Sequence, residues 1–344
     1  MISVDVLKQF TEDVMASTGL QRESAHAFAD ALLYADMRGI GSHGLTRLTT
    51  YYSRLRDGLV DPKAEPVIKS DFPALVRVEG NNALGVVSAS FAMKTCIDHA
   101  KTAGACYAPV NGGNHFGCAS YYAEMAAREG MIGIAMANGP VAVAPIGGKE
   151  PMLGTNPLAI AIPLEGRAPF VLDMATSVVA RGKIKLAEKE GRTIPEGWGI
   201  DADGHPTTDP SKVKCVLPFG GAKGYGISMI IDILCSVLAG AKNSQTMGSF
   251  YDFSGKKQEA GFFVGALNPA AIMDEGEFLR GTRDFVDSIK NSTKAEGVSE
   301  IFAPGEIEYR KSLAAKEQGI KLSDVIIGEL KALSAETGIA LDID

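Results

Sequence analysis

The chain has 344 residues, 46% of them apolar and 22% charged, and a formal net charge of −7. This is the composition of a globular protein of two or three lobes, and it offers no basic stripe of the kind that holds nucleic acid. The five cysteines, at 96, 106, 118, 215 and 235, show neither CxxC spacing nor an even count, so reduced thiols are expected, with no metal site and no disulfide framework.

The opening "MISVDVLKQF" lacks a basic region followed by an apolar block. The most apolar stretch, "GISMIIDILCSVLAGA" (226–241), is interrupted by Asp232 and falls short of the roughly 20 residues that cross a bilayer. A cytoplasmic protein is therefore expected, with 226–241 as a buried helix.

Taken in chain order, Ser3 can cap a first helix bearing Val6, Leu7, Phe10 and Val14, and Gly19 can end it. Phe28, Leu32 and Leu33 stripe a second helix, and a third is expected from Ser42 to about Arg56. Residues 1–70 thus read as a helical lobe. From "ALVRVEG" (74–80) the pattern changes to short β-rich runs at 105–110, 131–137, 158–163 and 170–174, with helices near 84–102 and 118–129. That alternation predicts an α/β core with much of its sheet buried. Residues 187–218 are rich in turn formers and predict a surface excursion. "GFFVGALNP" (261–269) returns as a strand, and helices follow near 275–290, 305–318 and 322–336. The expected plan is an α/β core from 71–130 and 260–304, a further region at 131–259, and residues 305–344 packing near the first lobe.

No GxGxxG or GxxxxGK[ST] phosphate cradle is present. "GGAKGYG" (220–226) comes closest: Lys223 adds positive charge at a helix start whose dipole already disfavours it, a conflict that a bound anion would resolve. A glycine turn with its lysine in water fits the same residues equally well.

In "SHGLTRLTTYYSRL" (42–55), Leu45, Leu48, Tyr52 and Leu55 form an apolar stripe, while His43, Arg47, Tyr51 and Arg54 recur at i, i+4, i+8 and i+11. An imidazole one turn from a guanidinium suits an organic acid: arginine holds a carboxylate bidentately, and histidine exchanges a proton near neutral pH. An ordinary solvated helix face would read the same way. In "GNHFG" (113–117) His115 sits between glycines on a loop able to present its ring to a ligand, or to serve as a turn residue. His26 and His99 fall in helical patterns and His205 in the turn-rich excursion, positions that suit structural or solvated roles. Asp173 ends a strand where α/β sheets bind ligands, and it could equally cap the next helix.

Taken together, "RGIGSHGLTRL", "GGNHFGCASYYA", "GTNPLAIAIP", "VLDMATSVVARGKI", "GWGIDADGHPTTDP" and "PFGGAKGYGISM" resemble the type-2 malate/L-lactate dehydrogenase family, over nearly the whole chain. The family also includes ureidoglycolate, sulfolactate and diketogulonate oxidoreductases. The resemblance implies a non-Rossmann, nicotinamide-binding α/β fold with a mixed sheet flanked by helices, in agreement with the missing GxGxxG. It implies dinucleotide binding through 131–259, with NAD, or NADP as the alternative, as cofactor, and a homodimer with sites involving both subunits. By similarity, His43 and His115 match the acid/base histidines, with His115 expected to move the proton and His43 to orient the substrate. Arg47 matches a ligand of the substrate carboxylate, and Tyr51 lines the same site. The cofactor positions carried over are Asp173, Met174 and Ala175, then Lys223 and Gly224, then Pro304, Gly305 and Glu306, with Asn138, Thr155 and Asn156 from neighbouring loops.

One departure bears on substrate. Pro140 stands where ureidoglycolate members have an aspartate, which leans toward a simpler 2-hydroxy acid such as malate or lactate. Arg181 could pair with a 2′-phosphate or simply start a surface helix. Two other readings stay open: an imine-acid reductase of the same fold, and a non-catalytic dinucleotide sensor. The sensor would be marked by loss of His43, Arg47 or His115, and all three are present.

Overall fold

The apolar stripes near the N-terminus become helices in the computed structural model, which describes residues 1–343. Helices α1 (Val4–Ser17), α2 (Arg22–Met37) and α3 (Leu48–Arg56) bury Leu7, Phe10, Val14, Phe28, Leu32, Leu48 and Leu55 in one cluster. Leu330 and Leu333, from near the C-terminus, complete that cluster. Ser3 does occupy the first cap position, but its hydroxyl makes no capping hydrogen bond.

The third helix begins later than its periodicity predicts. Gly41–His43 and Leu45–Arg47 form two 3₁₀ turns that meet at Gly44. The reason is local: a Cβ at residue 44 would stand 2.2 Å from the Asp36 carboxylate, which tucks against the glycine backbone and accepts the Leu45 N–H at 2.7 Å. The alternative of a solvated face does not hold for two of its residues. Tyr51 and Arg54 are each only 1% exposed.

Seven strands make the main sheet: β1 (Val67–Phe72), β2 (Leu75–Glu79), β3 (Ala105–Gly113), β4 (Ile132–Ala137), β5 (Leu158–Leu164), β6 (Arg167–Met174) and, numbered β9, Ala260–Leu267. Their spatial order is β1-β2-β3-β9-β4-β5-β6. Only the β2–β3 pair is parallel, so the sheet is mixed and mostly antiparallel. Strand β9 lies between β3 and β4 and is almost wholly buried, which accounts for its continuous apolar run in place of an alternating one. Helices α4 (Gly85–Ala103) and α5 (Ala119–Arg128) share a single core with the sheet, through Met93, Cys96, Tyr122, Phe262 and Val264. Strand β1 was not expected; its outward apolar residues blur the alternation.

The predicted excursion is more than a loop. Helix α6 (Arg181–Lys189) and the short strands β7 (Gly199–Ile200) and β8 (Cys215–Val216) surround a small cluster of Val179, Ile184, Ala187, Ile194 and Val216. Helix α7 (Ala222–Asp232) continues as a π-helical turn over Ile233–Leu238. The expectation of a buried helix here holds for one face only: Ser228, Ile231, Cys235 and Ser236 are buried, while Ile230, Ile233, Val237 and Leu238 are exposed. The buried face lies against β9 so closely that a Cβ at Gly261 would come within 1.6 Å of the Cys235 carbonyl oxygen. Helices α8 (Glu275–Lys290), α9 (Glu306–Gln318) and α10 (Asp324–Thr337) end the chain close to their predicted ranges. Among the described residues, no helix is long and apolar enough to cross a membrane.

Candidate active site

His115 lies on the connection from β3 to α5, and every neighbour fixes it. The buried Asn114 amide donates to the carbonyls of Asn82 (3.3 Å) and Ala83 (2.9 Å), and the His115 N–H donates to Gln258 (2.8 Å). The Tyr51 hydroxyl makes a short hydrogen bond with His115 Nδ1, and the Gly117 N–H donates to the same nitrogen at 3.3 Å. Phe250 stacks on the ring with centroids 4.6 Å apart. These contacts leave Nε2 as the open ring nitrogen.

The 3₁₀ turns bring His43 to the same place. Its ring lies 5.9 Å from that of His115 and nearly parallel to it, and its Nδ1 is 2.9 Å from the Ser42 hydroxyl. Arg47 donates through Nε to the Ser42 carbonyl (2.7 Å) and through Nη1 to the Tyr251 hydroxyl. The structure thus converges two imidazoles and a guanidinium from segments more than sixty residues apart. Tyr51 is placed differently from its expected substrate-lining role: it is buried, and its hydroxyl serves His115.

The two histidines differ electrostatically. Burial, then the neighbouring Arg47 charge, lowers the pKa of His43, and the Asp173 carboxylate opposes that shift. Burial, followed by His43, Arg47 and Arg54, holds His115 well below the ordinary histidine value with no carboxylate in opposition. Burial raises the Tyr51 phenol far above its usual range, so it stays a neutral hydrogen-bonding group.

The residues matched to cofactor positions occupy neighbouring loops. Asp173 ends β6 with its carboxylate accepting from the Ser120 N–H (3.1 Å) and the Cys118 thiol (3.2 Å), so it caps α5 and not the helix that follows it in sequence. Just beyond Met174 and Ala175, the Thr176 N–H donates to the Thr155 carbonyl (2.8 Å), and the Phe219 N–H donates to the Thr176 carbonyl (3.0 Å). That ladder places 155–156, 173–176 and the start of α7 side by side. Lys223 is exposed in the first turn of α7, beside Gly220 and Gly221, which both have positive φ; Gly224 is buried. On the other flank of β6, the Pro304 carbonyl accepts from Val171 (3.1 Å), and a Cβ at Gly305 would press on Val171 at 2.7 Å. Glu306 is engaged by Lys290, Arg310 and the Ala303 N–H.

Two matched residues are spent on the scaffold. Asn138 donates to Asp232 (3.1 Å) and the Lys242 carbonyl (2.8 Å) and accepts from Gly261 (3.1 Å). Asn156, fully buried at φ +30°, donates to the carbonyl and hydroxyl of Ser228 and accepts from Gly139. Their amides brace the loops around α7 and do not face an opening. Sequence reasoning missed Phe250, Tyr251 and Gln258, which touch the site, and Asp36, which holds the turn that carries His43. The aromatic pair in the glycine-flanked "GSFYDFSG" (248–255) was the available signal.

A family model described as malate/L-lactate dehydrogenase matches residues 2–331. The chain belongs to the malate/L-lactate dehydrogenase family. Within it, the chain is 39% identical over 337 residues to an L-sulfolactate dehydrogenase of Methanocaldococcus jannaschii, covering 97% of this chain and 96% of that protein. The solved structure of the sulfolactate dehydrogenase from that organism superposes with a TM-score of 0.94 at 38% identity, over 99% of this chain and 98% of that one. Two further family members are an NAD(+) ureidoglycolate dehydrogenase of Escherichia coli K12, 35% identical over 94% of this chain and 93% of its own, and an NADP(+) (2R)-3-sulfolactate dehydrogenase of Chromohalobacter salexigens, 33% identical over 96% and 97%.

Proposed function

We propose that this member of the family oxidises a small 2-hydroxy acid such as malate or lactate, reversibly, with NAD or NADP. The observation that carries the reading is the convergence of His43, Arg47 and His115 around one point, with Nε2 of each ring left open by its own hydrogen bonds. The adjoining loops suit a dinucleotide: the N-terminus of α7, with the exposed Lys223 beside two positive-φ glycines, and the Asp173 carboxylate, whose charge reaches His43. The nicotinamide, when bound, accepts or returns the hydride.

The chain's own residues do the rest. Arg47 holds the carboxylate and so selects 2-oxo acids over simple ketones. His43 takes the hydroxyl proton at Nε2, and the Asp173 charge stabilises the imidazolium that results. His115 accepts the Gly117 N–H at Nδ1 and so carries its hydrogen on Nε2, where it donates to the oxygen on which charge develops. This division reverses the one expected from the sequence, because only His43 has a carboxylate to support its charged form.

Pro140 places no carboxylate beyond β4, which supports malate or lactate over ureidoglycolate. Arg181 starts α6 and is exposed, so it supports neither cofactor over the other. The test is a panel of pyruvate, oxaloacetate, 3-sulfopyruvate, a simple ketone, and pyruvate with methylamine, each against NADH and NADPH. Turnover of a 2-oxo acid is expected; turnover of the ketone alone, or of none, would end this reading. The exposed apolar face of α7 and its π turn further supports a homodimer. Sedimentation at twice the chain mass is expected, and a monomer at micromolar concentration would remove the dimer.

A further inference from the structure

Residues 248–258 form a loop closed at its base, where the Gly248 N–H donates to the Gln258 carbonyl at 2.9 Å. Three of its side chains reach the candidate site: Phe250 stacks on His115, Tyr251 accepts from Arg47, and Gln258 accepts the His115 N–H. Arg54 holds this loop from behind. Its Nη1 faces the carbonyls of Asp252 (3.0 Å), Phe250 (3.2 Å) and Ser249 (3.5 Å), and its guanidinium carbon lies 5.9 Å and 6.0 Å from the rings of Phe250 and Phe253.

The placement is costly in itself. Arg54 is buried, no carboxylate is within ion-pair distance of it, and its Nε and Nη2 make no hydrogen bond among the described residues. A buried cation so incompletely satisfied weakens a fold. Tyr51 and Arg54 are three residues apart on α3, so one helix face sends a hydroxyl to His115 and a guanidinium to the loop that stacks on it.

We infer that Arg54 is a positioning residue: by tying residues 249–252 to α3 it shapes the wall of the site where the substrate acid binds, while touching neither substrate nor dinucleotide. A planar fork can gather several carbonyls from one stretch of backbone; a lysine ammonium on a flexible stem holds them less rigidly. The charged and titratable groups around His115 are His43, Arg47, Tyr51 and Arg54 itself, so the same guanidinium also disfavours a second charge on that ring. The role in substrate binding rests on the dehydrogenase reading proposed above. The hold on the loop does not.

Arg54→Lys and Arg54→Met are compared with the parent protein by circular dichroism, by trypsin cleavage after Lys256 and Lys257 in the loop, and by KM for the 2-oxo acid and for the dinucleotide. Cleavage is expected to speed up about tenfold in both variants, and the oxo-acid KM to rise about tenfold while the dinucleotide KM stays within about twofold. Unchanged cleavage together with unchanged KM values overturns the inference, and so does a parallel rise of both KM values, which marks a general loss of structure. If neither variant folds, Phe250→Leu, which leaves Arg54 and its backbone bonds in place, is expected to raise the oxo-acid KM alone; an unchanged value overturns the inference. Should the parent turn over no 2-oxo acid, the dehydrogenase reading falls, while the cleavage rates still decide whether Arg54 holds the loop.

Discussion

His43 and His115 are the same side chain in two different settings. His43 rides on a pair of 3₁₀ turns stitched at Gly44 by the Asp36 carboxylate, and it has Asp173 for company. His115 is locked into a β-to-α connection by Tyr51, Gln258 and a stacked Phe250, and every charge near it is positive. The lesson is that a motif supplies the imidazole while the surroundings decide its chemistry: in the proposed division of roles, the ring beside Asp173 exchanges the proton and the ring among positive charges stays neutral as a hydrogen-bond donor.

Removing each ring in turn is the sharpest way to break this contrast. His43→Ala is expected to lower turnover by about 10²–10⁴-fold, the usual worth of a positioned acid/base. It should also abolish the acid limb of the pH profile for hydroxy-acid oxidation. In the parent that limb lies below about pH 6.5, because burial and Arg47 lower the pKa of His43. His115→Ala is expected to cost about 10²-fold, in the range of a lost oxyanion donor, with the limb retained. If the limb survives in His43→Ala and vanishes in His115→Ala, the roles are the other way round, as the sequence alone suggested.

A smaller effect probes what holds His43 in place. Burial raises the Asp36 carboxyl to about 6, against the stabilising Leu45 N–H. A carboxyl whose folded pKa lies above its unfolded value of about 3.9 penalises folding as pH rises through that interval, fully so above about pH 6. Asp36→Asn keeps an acceptor for Leu45 without the charge, so it should be more stable than the parent by about 1–2 kcal/mol at pH 8, once a weaker hydrogen bond is allowed for. The difference should vanish near pH 4. Chemical denaturation at the two pH values measures it, and a stability gap independent of pH would show that Asp36 is not a buried charge.

Much of the fold was legible because its signals are local. The stripes of α1 and α2, the β-rich runs and the three closing helices are set by spacing within single segments. What escaped depended on partners remote in sequence. The split of 41–47 into 3₁₀ turns follows from a carboxylate on α2, the close seat of the π turn depends on a glycine on β9, and Asp173 caps a helix more than fifty residues upstream. At the site the same boundary applies. His43, Arg47 and His115 were visible as motifs, but which of them gains a counter-charge is fixed by Asp173 across the fold. For Tyr51 and Arg54 a solvated face stayed open because periodicity reports a shared side, not what covers it.

The closeness of Gly261 to the Cys235 carbonyl bears on how this protein can change over generations. Even one methyl group at 261 would push the π turn off the sheet and, through Asn138 and Asp232, disturb the loops around α7. That position is closed to drift, whereas the outer residues of the same turn are free to vary with whatever covers them. New substrate preferences are therefore expected to arise by replacement in the loops above the histidines, while the seam beneath them stays fixed.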